Sequence, residues 1–427
     1  MIKRILYTLL IMFPVLASAQ INTDRVMAIG RNALYFEDYV LSIQYFNQVI
    51  NAKPYLSDPY FYRGLAKINL DDFQGAESDC SEAIERNPFV VSAYQVRGLA
   101  RIQQNNFAGA IEDYTKALEF DPENIGVWHN MALCRIRQED YKGAKNDLDK
   151  LIAISPRYTK AYLMRGEVDL KQKDTLAAEK DFGKAIEIDR YDADTWASRA
   201  ILRLQQQRYK DAEADFDHAI RLSTRNSGVY INRALARYHQ NNLRGAMSDY
   251  DIALDIDPNN FIGHYNRGLL RAQVGDDNRA IQDFNFVIEM EPDNMMAIFN
   301  RGLLLDQTGD YKGAIKDYST VINEYPNFLL GYQYRAQARR KIGDVKGADA
   351  DEFKVLKAQL DKQNGVDPNK QTADNTENNK TRKKSDKNMN NYRKIVVADN
   401  EEGEEKYKSD YRGRVQDKNV NIVPQPM

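Results

Sequence analysis

Small and apolar residues recur along most of this chain with a fixed period of 34 residues. In the stretch Met295–Phe328, for example, Gly302 and Ala314 each belong to an apolar stripe whose spacing is helical. A constant period without insertions predicts an array of similar structural units, each of which buries its apolar face against its neighbours. Steps of 34 residues from Gly302 define ten small residues: Gly30, Gly64, Gly98, Ala132, Gly166, Ala200, Ala234, Gly268, Gly302 and Ala336.

Each unit is predicted to form two antiparallel helices. When the Gly302 class is numbered position 8, positions 4, 8 and 11 share one face of a first helix (helix A), and positions 20, 24 and 27 share one face of a second (helix B). Proline at position 32 ends helix B in seven copies, whereas Arg190 and Thr224 replace it in the fifth and sixth, so we expect those two junctions to be less rigid. The copies are residues 23–56, 57–90, 91–124, 125–158, 159–192, 193–226, 227–260, 261–294, 295–328 and 329–362.

These landmarks resemble the tetratricopeptide repeat (TPR) family. In the stretch Met295–Phe328 they are Arg301-Gly302, Ala314, Tyr318 and Pro326, and the resemblance covers roughly residues 23–362. It implies an all-α fold, an α-solenoid of about ten helix-turn-helix repeats that winds into a right-handed superhelix. It also implies that the A helices line a concave face, which binds a protein or an extended peptide.

Charged residues follow the same period. Position 7 is arginine in eight copies and position 23 is aspartate in nine, while the first copy has neither, with Ile29 and Tyr45 instead. The fourth copy has Met131 at position 7 but supplies Arg135 four residues later. We therefore predict repeated ion pairs that join helix A to helix B, or one repeat to the next; the alternative is a ladder of arginines for an anionic ligand. The pairs include Arg233 with Asp249, Arg267 with Asp283, and Arg301 with Asp317.

The predicted concave face is rich in amide and aromatic side chains in repeats seven to nine. Amides can donate to and accept from a peptide backbone at once, which suits a partner segment of variable sequence. The alternative is that these side chains are solvated and only help the fold. The lysine and asparagine set with which chaperone-binding members hold a terminal carboxylate is missing. The candidate binding residues are Asn232, Tyr238, His239, Tyr265, Asn266, Gln273, Phe299, Asn300 and Gln307.

The two ends of the chain differ from the repeats. Lys3 and Arg4 precede an apolar run and an Ala17-Ser18-Ala19 site, which predicts a cleavable signal peptide over residues 1–19 and export to the periplasm or cell envelope of a bacterium. The alternative, a membrane anchor, needs a longer apolar run. Residues 363–427 are dominated by Asn, Lys, Asp, Glu and Gln, so they are predicted to be a disordered charged tail.

No catalytic or cofactor-binding motif accompanies the repeats. The chain of 427 residues has a net charge of −2, and its four histidines show no metal-ligand spacing. Cys80 and Cys134 lie in non-adjacent repeats, so we predict two small core residues and no disulfide. The prediction is a non-enzymatic scaffold or adaptor without cofactor, metal, nucleic acid or membrane insertion. A polysaccharide-binding module and a self-assembling structural rod are the alternatives.

Overall fold

The computed structural model describes residues 22–222, 225–364, 389 and 392–395. Over these residues the chain forms twenty α-helices and no strand. They are α1 (Thr23–Tyr35), α2 (Tyr39–Ala52), α3 (Asp58–Ile68), α4 (Phe73–Arg86), α5 (Val91–Gln103), α6 (Phe107–Phe120), α7 (Ile125–Arg137), α8 (Tyr141–Ile154), α9 (Thr159–Lys171), α10 (Thr175–Ile188), α11 (Ala193–Gln205), α12 (Tyr209–Arg221), α13 (Ser227–His239), α14 (Leu243–Ile256), α15 (Phe261–Gln273), α16 (Asp277–Met290), α17 (Met295–Thr308), α18 (Tyr311–Glu324), α19 (Leu329–Lys341) and α20 (Val345–Gln363).

The helices pair within repeats, so that odd-numbered helices are the A helices and even-numbered helices the B helices. The small residue at position 20 is fully buried in every copy, from Ser42 to Ala348. A Cβ atom on Gly98 at position 8 would lie 2.7 Å from the Tyr114 ring of the paired helix. The two helices therefore approach so closely that only a small residue fits opposite an aromatic ring. Cys80 and Cys134 are buried free cysteines in this packing.

The turn between helices A and B contains one residue with a left-handed backbone in every repeat. Position 15 lies in the left-handed region, with φ between 59° and 93°, and is glycine only in the last three copies, at Gly275, Gly309 and Gly343. The next residue caps the start of helix B; Asp72 and Asn106, for example, each accept a hydrogen bond from the backbone N–H three residues later. This capping satisfies one of the backbone donors that a helix start leaves free.

The chain divides into two compact units at Arg190. The first contains α1–α10 and the second contains α11–α20 together with Met389 and residues 392–395. The boundary falls where Arg190 replaces the proline of position 32, while Thr224 lies outside the described residues. The lower rigidity expected at these two junctions stays a prediction.

Seven of the eight arginines at position 7 join three helices, while Arg199 bonds to Asp215 of the paired helix. Arg233 of α13 donates from Nε and Nη2 to the two carboxylate oxygens of Asp249 in α14, at 3.0 and 2.6 Å. Its Nη1 donates to Asp217 of α12, in the preceding repeat, at 2.7 Å. The pair thus links helix A to helix B and one repeat to the next. The same fork joins Arg267 to Asp283, at 3.2 and 2.8 Å, and Arg301 to Asp317, at 2.8 and 2.7 Å.

The aspartates of these pairs are buried, and a second arginine often reaches them. Asp249 is 1% exposed and also accepts from Arg237 Nη1 at 2.9 Å. All three donor nitrogens of Arg233 bond within the protein. A guanidinium so engaged has little capacity left for a ligand, which argues against the alternative of an anion-binding ladder.

In the fourth repeat the position-7 arginine is replaced by Met131, and Arg135 forms the ion pair with the aspartate at position 23. Arg135 Nε lies 2.8 Å from Asp147 Oδ2, but neither atom makes a hydrogen bond. Burial of the carboxylate, only partly offset by the charge of Arg135, raises the pKa of Asp147 from 3.8 to about 6. The carboxylate is 4% exposed, so its ionisation is opposed by desolvation.

Candidate peptide-binding groove

Five residues of the predicted disordered tail pack against A helices of the second unit. We call Met389 and residues 392–395 the tail segment, and the surface of α13, α15 and α17 beside them the groove. Met389 and Ile395 are 5% and 9% exposed, so both side chains are buried. Met389, Tyr392 and Ile395 contact a surface on the repeats that the local composition of the tail does not reveal. Apart from these five residues and residues 363–364, the predicted disordered tail lies outside the described residues.

Tyr392 makes the specific contacts of the tail segment. Its main-chain carbonyl oxygen accepts a hydrogen bond from the Tyr265 hydroxyl at 2.7 Å and another from Asn300 Nδ2 at 2.5 Å. Its ring meets the Phe299 ring edge to face, with centroids 4.8 Å apart. The groove therefore recognises one peptide carbonyl with two donors and one side chain with an aromatic wall.

The flanking apolar residues of the tail segment reach different parts of the second unit. Met389 belongs to the apolar cluster built from α15 to α19, which includes Phe299 and Phe328. Ile395 belongs to the cluster built from α11, α12 and α13, which includes Leu235. The tail segment therefore runs against the order of the repeats, from later helices to earlier ones.

A cavity of about 390 Å³ remains open beside the tail segment. Gln307 and Gln273 lie on its wall and are exposed, and Gln273 Oε1 accepts a hydrogen bond from the Tyr238 hydroxyl at 2.8 Å. Leu269 and Leu303 supply apolar wall. The groove thus offers amide groups and apolar surface that the tail segment does not cover.

The nine candidate binding residues separate into three groups. Tyr265, Phe299 and Asn300 contact the tail segment. Tyr238, Gln273 and Gln307 line the cavity, as does Asn300. The remaining three, Asn232, Asn266 and His239, do not line this cavity.

The two asparagines of that last group are fully buried, as Asn300 nearly is. Both share position 6 with Asn300 and make interactions within the chain. Their role in binding a partner stays a prediction. His239 is exposed and stacks on the Tyr209 ring, with centroids 4.4 Å apart.

The residues that sequence reasoning missed are Met389, Tyr392, Leu269 and Leu303. A faint signal existed in the tail, since Met389, Tyr392 and Ile395 are spaced three residues apart and the residues between them are all polar or charged. The leucines belong to the repeat register, and nothing in that register distinguishes a groove residue from a core residue.

Within the described part of the chain, no group of three or more His, Cys, Asp or Glu side chains is arranged to hold a metal ion. None of the helices described above combines the length and the apolarity that a membrane crossing requires.

Family models match the chain across most of the repeats. A model described as TPR repeat matches residues 98–134. One described as tetratricopeptide repeat matches residues 198–261 and 265–327, and another of the same description matches residues 125–158 and 159–192. No curated protein matches the chain in a sequence comparison.

Solved structures of repeat proteins are also similar. A tetratricopeptide repeat protein from Parabacteroides merdae is 21% identical, over 58% of this chain and 98% of its own, with a TM-score of 0.46. The C-terminal part of a TPR repeat-containing protein from Cytophaga hutchinsonii is 17% identical, over 56% of this chain and 98% of its own, with a TM-score of 0.47.

Proposed function

Because the chain belongs to the tetratricopeptide repeat family, we propose that it is a non-enzymatic scaffold that holds an extended segment of a partner protein in the groove of α13, α15 and α17. The observation that carries the proposal is the pair of hydrogen bonds from Tyr265 and Asn300 to the Tyr392 carbonyl. A surface that already accommodates a peptide main chain has the donors and the width that such a partner needs.

The contacts explain how partners of different sequence could be held. The two donors address a main-chain carbonyl, which every residue has, so they fix the position of a peptide without selecting its side chains. Gln273 and Gln307, exposed on the wall of the adjoining cavity, add amides for further peptide groups. Selectivity then comes from the aromatic wall at Phe299 and from the apolar surface on either side.

The place of action is proposed from the sequence alone. Residues 1–19 have the basic, apolar and small-residue regions of a signal peptide. We place the mature protein in the periplasm or the cell envelope, where the groove would serve assembly of an envelope or export complex. The partner is a protein or peptide, and the proposed role includes no cofactor and no nucleic acid.

The two alternatives receive less support. A polysaccharide-binding module stacks sugar rings on exposed aromatic side chains, yet Tyr265 and Phe299 are 5% and 0% exposed, in part because the tail segment covers them. A self-assembling rod would need a second copy, and no observation on the described residues favours one.

Site-specific photo-crosslinking tests the proposal. A photoreactive amino acid replaces Gln307 on the cavity wall, and in a matched control it replaces Lys312, which is exposed on helix α18. After irradiation in an envelope extract, we expect the Gln307 position to form an adduct with a discrete protein, mapped by mass spectrometry to an extended segment. Equal labelling from both positions, or none from Gln307, would refute a partner site in the groove.

A further inference from the structure

The tail segment has the features of a bound ligand. Its hydrogen bonds come from side chains of α15 and α17, and the accepting atom is a peptide carbonyl, as in the recognition of a foreign peptide. The repeat array is already complete before this point, because its last helix ends at Gln363. The segment therefore adds nothing to the repeat architecture, although it fills the surface proposed for a partner.

Three side chains at a spacing of three residues give the tail segment its fit. Met389 and Ile395 are buried at the two ends, and the Tyr392 ring packs on Phe299 between them. The residues beside Tyr392 on its C-terminal side, Arg393 and Lys394, are exposed. The groove thus contacts an apolar, an aromatic and an aliphatic side chain in turn, and it leaves the two charged side chains between the last two exposed to solvent.

We infer that the tail segment is an intramolecular ligand of the groove, and that partners carry the same pattern of an apolar, an aromatic and an aliphatic residue at intervals of three. This inference rests on the proposed function and adds to it both a recognition pattern and a built-in competitor. A partner binds only when the tail segment leaves, so its apparent affinity falls by the fraction of chains whose groove is open.

Covalent attachment makes the tail segment an effective competitor. A ligand joined to its own receptor acts at an effective concentration on the order of millimolar, provided that the connection spans the distance. Residues 365–388 supply that connection between α20 and Met389. If the groove is occupied nine-tenths of the time, release of the tail segment raises the affinity for an added peptide about tenfold.

The experiment measures binding of a fluorescent peptide with the sequence of residues 386–398 to the full chain, by anisotropy. We compare the wild type, Tyr392→Ala, which removes the ring from the tail segment, and Lys394→Ala, a control at an exposed residue of the same segment. We expect the peptide to bind Tyr392→Ala about tenfold more tightly than it binds the wild type or Lys394→Ala. Equal affinities for all three would overturn the inference.

Two further variants locate the binding. In the Tyr392→Ala chain, Tyr265→Phe removes one hydroxyl and Asn300→Ala removes the amide, and both should lower the affinity for the peptide severalfold. Circular dichroism verifies the fold, and because Tyr265→Phe alters only a hydroxyl, it keeps the test valid if Asn300→Ala is unstable. Undiminished binding to the Tyr265→Phe chain, or no peptide binding to Tyr392→Ala at all, would overturn the recognition pattern.

The remaining outcomes separate this inference from the proposed function. If Tyr392→Ala turns a dimer into a monomer in sedimentation, the segment belongs to a second copy, and the intramolecular assignment is wrong. If a partner crosslinks at Gln307 equally in the wild type and in Tyr392→Ala, the proposed function stands and the tail segment is not a competitor. If crosslinking at Gln307 fails in both while the peptide still binds Tyr392→Ala, the groove serves the chain's own tail, and the proposed function fails.

Discussion

The substitution Asp249→Ala tests whether the repeated ion pairs hold the solenoid together. Asp249 is 1% exposed and accepts three hydrogen bonds, two from Arg233 and one from Arg237. The side chains of Arg233 and Arg237 are 11% and 19% exposed. The substitution removes their shared buried carboxylate and leaves Arg233 hydrogen-bonded to Asp217 and Arg237 to Glu213, both of which are more exposed. Removing one partner of a buried pair costs about 3–5 kcal/mol.

The matched control is Asp217→Ala, which removes the second carboxylate that bonds to Arg233. Asp217 accepts from Arg233 Nη1 at 2.7 Å, but its side chain is 34% exposed. Because water can replace that carboxylate and Asp249 still holds the guanidinium, Asp217→Ala should cost less than about 1 kcal/mol. Each variant removes one carboxylate from Arg233; they differ in burial and in the number of hydrogen bonds lost, three for Asp249 and one for Asp217.

The assay is unfolding in urea, followed by circular dichroism and by the fluorescence of Trp196 in chains that also carry Trp128→Phe. Trp196 lies in α11, in the same unit as Asp249. Hydrogen exchange measured by mass spectrometry shows whether α13 and α14 open first, since an array of repeats need not unfold in one step. A free energy of unfolding for Asp249→Ala within about 0.5 kcal/mol of the wild type, or equal losses for both variants, would refute the argument.

Three further predictions use the turns, the fourth repeat and the cysteines. Glu139 has a φ of 61°, in the left-handed region that favours glycine, so Glu139→Gly should stabilise the chain by up to about 1 kcal/mol. Gly275 has the same kind of backbone, so Gly275→Ala should destabilise the chain by a similar amount. Thermal unfolding measures both effects, and changes of the opposite sign would contradict this reasoning. Burial raises the pKa of Asp147 to about 6. The folded state therefore holds that proton more tightly than the unfolded state, and ionisation costs stability as the pH rises from about 4 to 7. The free energy of unfolding of Asp147→Asn should thus rise by up to about 3 kcal/mol relative to that of the wild type over that range. If urea unfolding shows a difference between the two chains that does not change with pH, this prediction is wrong. Burial raises the pKa of the Cys80 thiol to about 12, so iodoacetamide at pH 8 should modify it only after unfolding; rapid labelling of the native chain would disprove this.

Much of the fold follows from the repeat register. The period, the small residues at positions 8 and 20 and the charges at positions 7 and 23 are local features that each repeat carries for itself. In a solenoid each repeat contacts only its neighbours, so one unit understood from its sequence predicts the rest. The left-handed turn at position 15 escaped prediction, because residues such as Glu139 and Lys173 occupy it where glycine would have signalled it.

The candidate groove was predictable only in part. Position in the repeat pointed to Tyr265, Phe299 and Asn300, which contact the tail segment. It could not predict which peptide group they meet, because the tail segment lies outside the repeat register and nothing in that register specifies where it packs.

The sequence by itself determined that the chain is an all-α array of repeats, where each repeat begins, and which charges pair. The tertiary structure alone decided that Tyr392 lies on Tyr265 and Asn300, residues far away along the chain. Such a contact has no period and no local signal, because it depends on complementarity between one short segment and a surface that exists only after the helices have packed.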